Sequence, residues 1–276
     1  MADAGPAPVL VLEPRPATRR AWLREVAGYW PVLRMLAAKE FKTRYRGTTF
    51  GVVWAVVVPL LQATVLAVVF SRIARFEVAG GSYAAYVLTG MLLWSYFATS
   101  LPAATTAVVD GSNLADKVWF PRVLLILTVP LSNLIGLAVT HAILLGALPL
   151  LGTDLTPRLL ALPLAALLLV LLTVGLGSVL GAMHVYFRDT RYLLQAALLV
   201  WIYLTPIIYP ADLLGRWAGL LDANPLTGVV GLARWAALGG PLPARSVALA
   251  GAATAVLLAV AVEVHRRHDR RFVDLL

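Results

Sequence analysis

His141 is the one ionisable side chain set in the middle of a long apolar stretch of this 276-residue chain. A residue so placed can relay protons or hold a ligand, but either role needs a second polar group beside it. A neutral imidazole bonded to a neighbouring helix is the plainer reading. Other routes to chemistry are closed by composition. There is no cysteine, which excludes disulfides, thiol nucleophiles and cysteine-held metals. No Asp-x-x-Asp pair is present for metal–pyrophosphate chemistry and no His-Glu-x-x-His for zinc. Asp189 stands between Arg188 and Arg191, where a local salt bridge suffices. Catalysis by this chain is not expected, nor is a metal or cofactor of its own.

A Gly-x-x-x-x-Gly-Lys-[Ser/Thr] loop is also absent, so any ATP that powers movement here must be hydrolysed by another polypeptide. Such a motor needs a grip, and SNLADKVWFPR (112–122) offers one. Ser112 or Asn113 can cap a short helix, Leu114 and Val118 share a face, and Pro121 restarts the chain. An ordinary interfacial turn anchored by Trp119 and Phe120 explains the same residues. Aromatic rings gather near the ends of apolar stretches, among them Trp94, Tyr96, Phe97, Trp201, Tyr203, Tyr209, Trp217 and Trp235. Most suit the belts where amphipathic rings meet headgroups. Any ring that faced a translocation path would be suited to stack on the C–H faces of sugars.

These residues are positioned by runs without Asp, Glu, Lys or Arg: 47–71, 78–109, 123–153, 159–187, 192–211 and 246–262. A helix rises about 1.5 Å per residue, so about 20 apolar residues cross a hydrocarbon core of ~30 Å. Five runs meet that length, and snorkelling by Arg245 and Glu263 extends the sixth. The chain is therefore predicted to be an all-α integral membrane protein with six transmembrane helices. With the N-terminus inside, 17 of the 23 Lys and Arg residues fall on the cytoplasmic side, which places both termini there. The net charge of +9 flanks the spans instead of clustering on a soluble face. It attracts the lipid bilayer's anionic headgroups; nucleic acid is not an expected partner.

Residues 1–17 carry Pro6, Pro8, Pro14 and Pro16 and are expected to form a disordered cytoplasmic tail without a cleavable signal. Residues 18–47 are predicted as an amphipathic interface helix, because Trp22, Leu23, Val26, Trp30, Leu33 and Leu36 recur at helical spacing among basic residues. Pro31 should break or bend it, and a solvated basic linker is the alternative. The transmembrane domain, 48–264, has spans at about 51–71, 83–109, 122–151, 159–187, 192–209 and 247–264. Asn224 and Pro225 start a helix that Gly239, Gly240 and Pro241 end. Two helices within 211–239, too short to span and too apolar to float free, are expected as external re-entrant elements. Residues 265–276 form a short cytoplasmic tail.

LAAKEFKTRYRGTTFGVVWAVVVPLLQATVLAVVF (36–70), ADKVWFPRVLLIL (115–127), YFRDTRYLLQ (186–195), LTPIIYP (204–210), NPLTGVVGLARW (224–235) and RRFVDLL (270–276), taken in that order, resemble the ABC-2 type permeases that export polysaccharides. The resemblance implies a homodimer in the bacterial inner membrane, partnered by two copies of a separate ABC ATPase subunit that binds Mg-ATP. It implies export of a polyprenyl-diphosphate-linked glycan of the O-antigen, galactan or teichoic acid type. It implies a cytoplasmic coupling helix at which Leu114, Lys117, Val118, Trp119, Phe120 and Arg122 meet the ATPase. Arg44, Tyr45 and Arg46 would stand at the portal for the lipid diphosphate. Trp54, Phe70, Trp201 and Tyr203 would line the channel. Exporters of drugs or simple lipids share this fold and its ATPase, but the Arg-Tyr-Arg-Gly element argues against them. A polyprenyl-phosphate-dependent transferase would need clustered carboxylates or a catalytic base at an interface, and the sequence offers neither.

Overall fold

The computed structural model describes residues 18–46, 50–70, 82–112 and 120–275, and every regular element among them is helical. The amphipathic segment forms two helices, α1 (Arg19–Gly28) and α2 (Trp30–Tyr45). Thr18 caps α1 by accepting a bond from the Ala21 N–H at 3.2 Å. Pro31 falls in the first turn of α2, where no intrahelical N–H bond is lost. Part of their apolar side is covered by protein: Trp22 is buried, and Leu33 packs with Phe120, Leu124 and Leu125, while Leu23 and Trp30 remain exposed. Arg19 reaches Glu263 at 2.9 Å, tying α1 to the last helix.

Next come α3 (Trp54–Val69), α4 (Tyr83–Asp110), α5 (Val123–Leu150), α6 (Leu162–Tyr186) and α7 (Thr190–Leu204). A 3₁₀ stretch (Ala211–Ala223), α8 (Pro225–Leu238) and α9 (Ala244–Leu275) complete the chain. The central helix is α4, which packs against α3, α5, α6, α7 and α8. Its Ala85, Val87, Phe97, Leu101 and Ala104 have no exposed surface. By contrast α3 and α7 turn Leu61, Val65, Leu193, Leu199 and Val200 outward.

Among the described residues, four segments are long and apolar enough to cross a membrane: Tyr83–Asp110, Val123–Leu150, Pro157–Tyr186 and Ala244–His268. Two shorter apolar helices, Val57–Val69 and Thr190–Leu204, stand where the first and fifth spans are predicted. The fifth was expected to reach residue 209 but stops at Leu204. Pro206 disfavours helical backbone at Thr205, which is extended at φ −103° and ψ 130°. A run without charge is thus not always a run of helix. The last helix departs in the opposite direction, continuing to Leu275 through the region expected as a separate tail. Neither Gly nor Pro interrupts residues 252–275, and Glu263 pairs with Arg266 and Arg267 one turn on. Residues 211–239, where two short helices are expected, form one 3₁₀ stretch, broken at Gly215 (φ 50°), and one regular α-helix.

Candidate functional site

A cavity of about 290 Å³ opens where α2, α3, α4 and α5 meet. Arg44 comes from the last turn of α2, where a cation also complements the negative end of the helix dipole. Trp54, Val58 and Pro59 come from α3, Ser95, Tyr96 and Thr99 from α4, and Asn133, Gly136 and Thr140 from α5. Arg44 is the one charged side chain in this lining. It lies 3.3 Å from Glu40 and donates to the Asn133 side-chain oxygen. The Asn133 amide nitrogen then donates to Ser100 Oγ at 2.7 Å, so three helices share one polar chain. Tyr96 donates its hydroxyl to the Pro130 carbonyl at 3.0 Å, which fixes the ring in the wall. Trp54 is half exposed at the mouth, edge-on to Phe50 at 5.8 Å. A guanidinium fork, hydroxyls, an amide and an indole face one space. That set suits an anionic headgroup joined to a polar group with flat C–H faces.

The cavity unites Arg44 and Trp54, which the sequence placed in different roles. Arg46 caps the end of α2 and is exposed outside the lining, and the Tyr45 side chain lies outside the described residues. The other aromatics are elsewhere. Phe70, at the far end of α3, packs half-buried against the main core. Trp201 on α7 meets Phe97 edge-on at 5.3 Å and donates its indole N–H to Asn224 at 3.0 Å. Tyr203 is exposed on the same helix. In the expected coupling loop, Leu114, Lys117, Val118 and Trp119 lie outside the described residues. Phe120 and Arg122 are buried, and Arg122 donates to the Phe120 carbonyl at 3.2 Å. His141 bonds the Leu137 carbonyl at 2.8 Å in its own helix, so no neighbouring helix is required.

Asn133, Ser100 and the cavity hydroxyls were missed by reading charges alone. A neutral amide inside an otherwise apolar span was the available signal, since it is costly there without a partner.

Residues 31–238 match the family model described as ABC-2 type transporter. The chain is 27% identical over 211 residues to the O-antigen export system permease protein RfbA of Myxococcus xanthus, covering 75% of this chain and 80% of that one. It is 25% identical over 256 residues to the protein of the same name from Klebsiella pneumoniae, covering 90% and 96%. It is 27% identical over 166 residues to the capsule polysaccharide export inner-membrane protein CtrC of Neisseria meningitidis serogroup A, covering 57% and 60%.

Proposed function

From the premise that this chain belongs to the ABC-2 type transporter family, we propose that it is the membrane subunit of an ATP-driven exporter of a polyprenyl-diphosphate-linked polysaccharide. The observation that carries the cargo is the cavity holding Arg44, Asn133 and Trp54 together. The guanidinium meets the diphosphate, the amide and hydroxyls meet the first sugar, and the indole stacks on it. Relatives named for O-antigen and capsule export support that class of cargo.

In this reading six spans cross the bacterial inner membrane, the shorter α3 and α7 included, and both termini are cytoplasmic. Two copies of the chain assemble with two copies of a separate ATPase, which binds Mg-ATP and drives the pair through the 112–122 loop. The outward apolar faces of α3 and α7 support a seat for the second copy, with the channel between them.

The test is co-purification of the tagged chain with the ATPase encoded beside it, followed by ATPase assays with polyprenyl-linked glycan. A two-plus-two complex stimulated by that lipid is the expected result. Stimulation by hydrophobic drugs and not by the glycan lipid would assign the chain to a different cargo.

A further inference from the structure

Beyond the end of α7 the chain runs non-helical and buried from Thr205 to Ile208. Irregular backbone inside a membrane protein persists only where protein donors replace water at its carbonyls. Here the donors are side chains. Arg234 of α8 gives Nε to the Tyr86 carbonyl at 3.3 Å and its two terminal nitrogens to the carbonyls of Pro206 and Ile207, the latter at 2.8 Å. Its guanidinium also sits 3.3 Å from the centroid of the Tyr86 ring. The Tyr86 hydroxyl lies within reach of the Pro206 and Tyr209 carbonyls, at 3.3 and 3.0 Å, and Tyr83 donates to the carbonyl of Ile208. Asn224 closes the near end, donating to the Leu204 carbonyl at 3.2 Å and Thr205 Oγ1 at 2.8 Å.

Arg234 is buried, and none of the salt bridges among the described residues includes it. A buried cation without a counter-ion is costly unless several acceptors share its charge, and three carbonyls and a ring face do so here. Gly90 of α4 makes the space: a Cβ there would lie 2.9 Å from the Arg234 guanidinium and 3.1 Å from Ile207.

We propose that Arg234 is a positioning residue for transport, latching segment 205–209 onto α4 and α8 and so holding the outer end of α7 sealed. The assignment rests on the exporter reading for its purpose, not for its geometry. Lysine carries the same charge as a point donor and cannot serve three divergent carbonyls, so Arg234→Lys opens the latch. Gly90→Ala opens it with every donor still present, by crowding the guanidinium's seat.

The chain has no cysteine of its own, so one introduced thiol reports without background. The full-length protein carrying Ile208→Cys is reconstituted in lipid nanodiscs and treated with a water-soluble maleimide. Labelling is expected to be slow in the parent and at least tenfold faster with either Arg234→Lys or Gly90→Ala. Leu101→Cys, at a fully buried position, stays unreactive wherever the core is intact. If that control shows Arg234→Lys to be unfolded, Gly90→Ala carries the test. Unchanged labelling at position 208 overturns the latch. Sealed vesicles holding the same proteins and a trapped anionic fluorophore supply the second readout, which loss of packing alone would not move. Several-fold faster release from latch variants is expected. Faster labelling without faster release overturns the sealing role. Neither readout needs an ATPase or a glycan, so both outcomes stand apart from the stimulation assay above.

Discussion

Asn133 joins three helices through one amide, taking Arg44 of α2 on its oxygen and reaching Ser100 of α4 with its nitrogen. Asn133→Leu keeps the side chain's bulk and removes both bonds. It is expected to raise the concentration of polyprenyl-diphosphate lipid giving half-maximal ATPase stimulation about tenfold, ~1.4 kcal/mol, the net worth of one hydrogen bond. Arg44→Ala should shift the same midpoint at least as far, and an unmoved midpoint in both would remove the cavity from the cargo's path. At this scale Arg44 is singled out through the resemblance of its Arg-Tyr-Arg-Gly element, whereas Asn133 is silent in any reading that counts charges. Trp201 shows the converse: a ring at a span end invites a sugar-stacking role, yet its indole N–H is engaged by Asn224. That bond depends on a residue 23 positions away, which spacing within one helix cannot reveal.

Between elements, the tightest of the described glycine sites is that of α8 against α9, where a Cβ on Gly228 would fall 2.2 Å from the Ser246 carbonyl oxygen. Backbone cannot yield as a side chain does, so Gly228→Ala must push the helices apart. The expected loss is about 1–3 kcal/mol, as for overpacking in a tight core, read by a denaturant titration of the purified chain. A variant as stable as the parent would mean that α8 and α9 separate freely. The Asn224–Pro225 start and Gly239 stop of α8 were legible because cap chemistry is local. The early end of α7 follows from Pro206, a signal present in the sequence but outweighed by the absence of charge up to residue 211. The division of the first segment at Tyr29 was anticipated by Pro31, whereas the protein surface that covers Trp22 and Leu33 depends on the tertiary fold.

For the molecule as a whole, the all-helical architecture was readable from apolar run length, because a bilayer leaves the backbone few other solutions. Assembly was not readable, since an outward Leu on α7 suits lipid and protein equally. Cysteine scanning separates the two. Val65→Cys and Leu199→Cys, on the outward faces of α3 and α7, are expected to yield covalent dimers on oxidation in native membranes. Monomer alone from both would exclude these faces as the seat of a second copy. One further property follows from α9, whose 32 residues run unbroken for about 48 Å. Near its start, Ser246 and Arg245 are fastened to Asp222 of the 3₁₀ stretch; further along, Glu263 holds Arg19 of α1. A rod pinned at two points ~27 Å apart is a mechanical linkage: thrust applied at one anchor arrives at the other as displacement, with no joint between to absorb it.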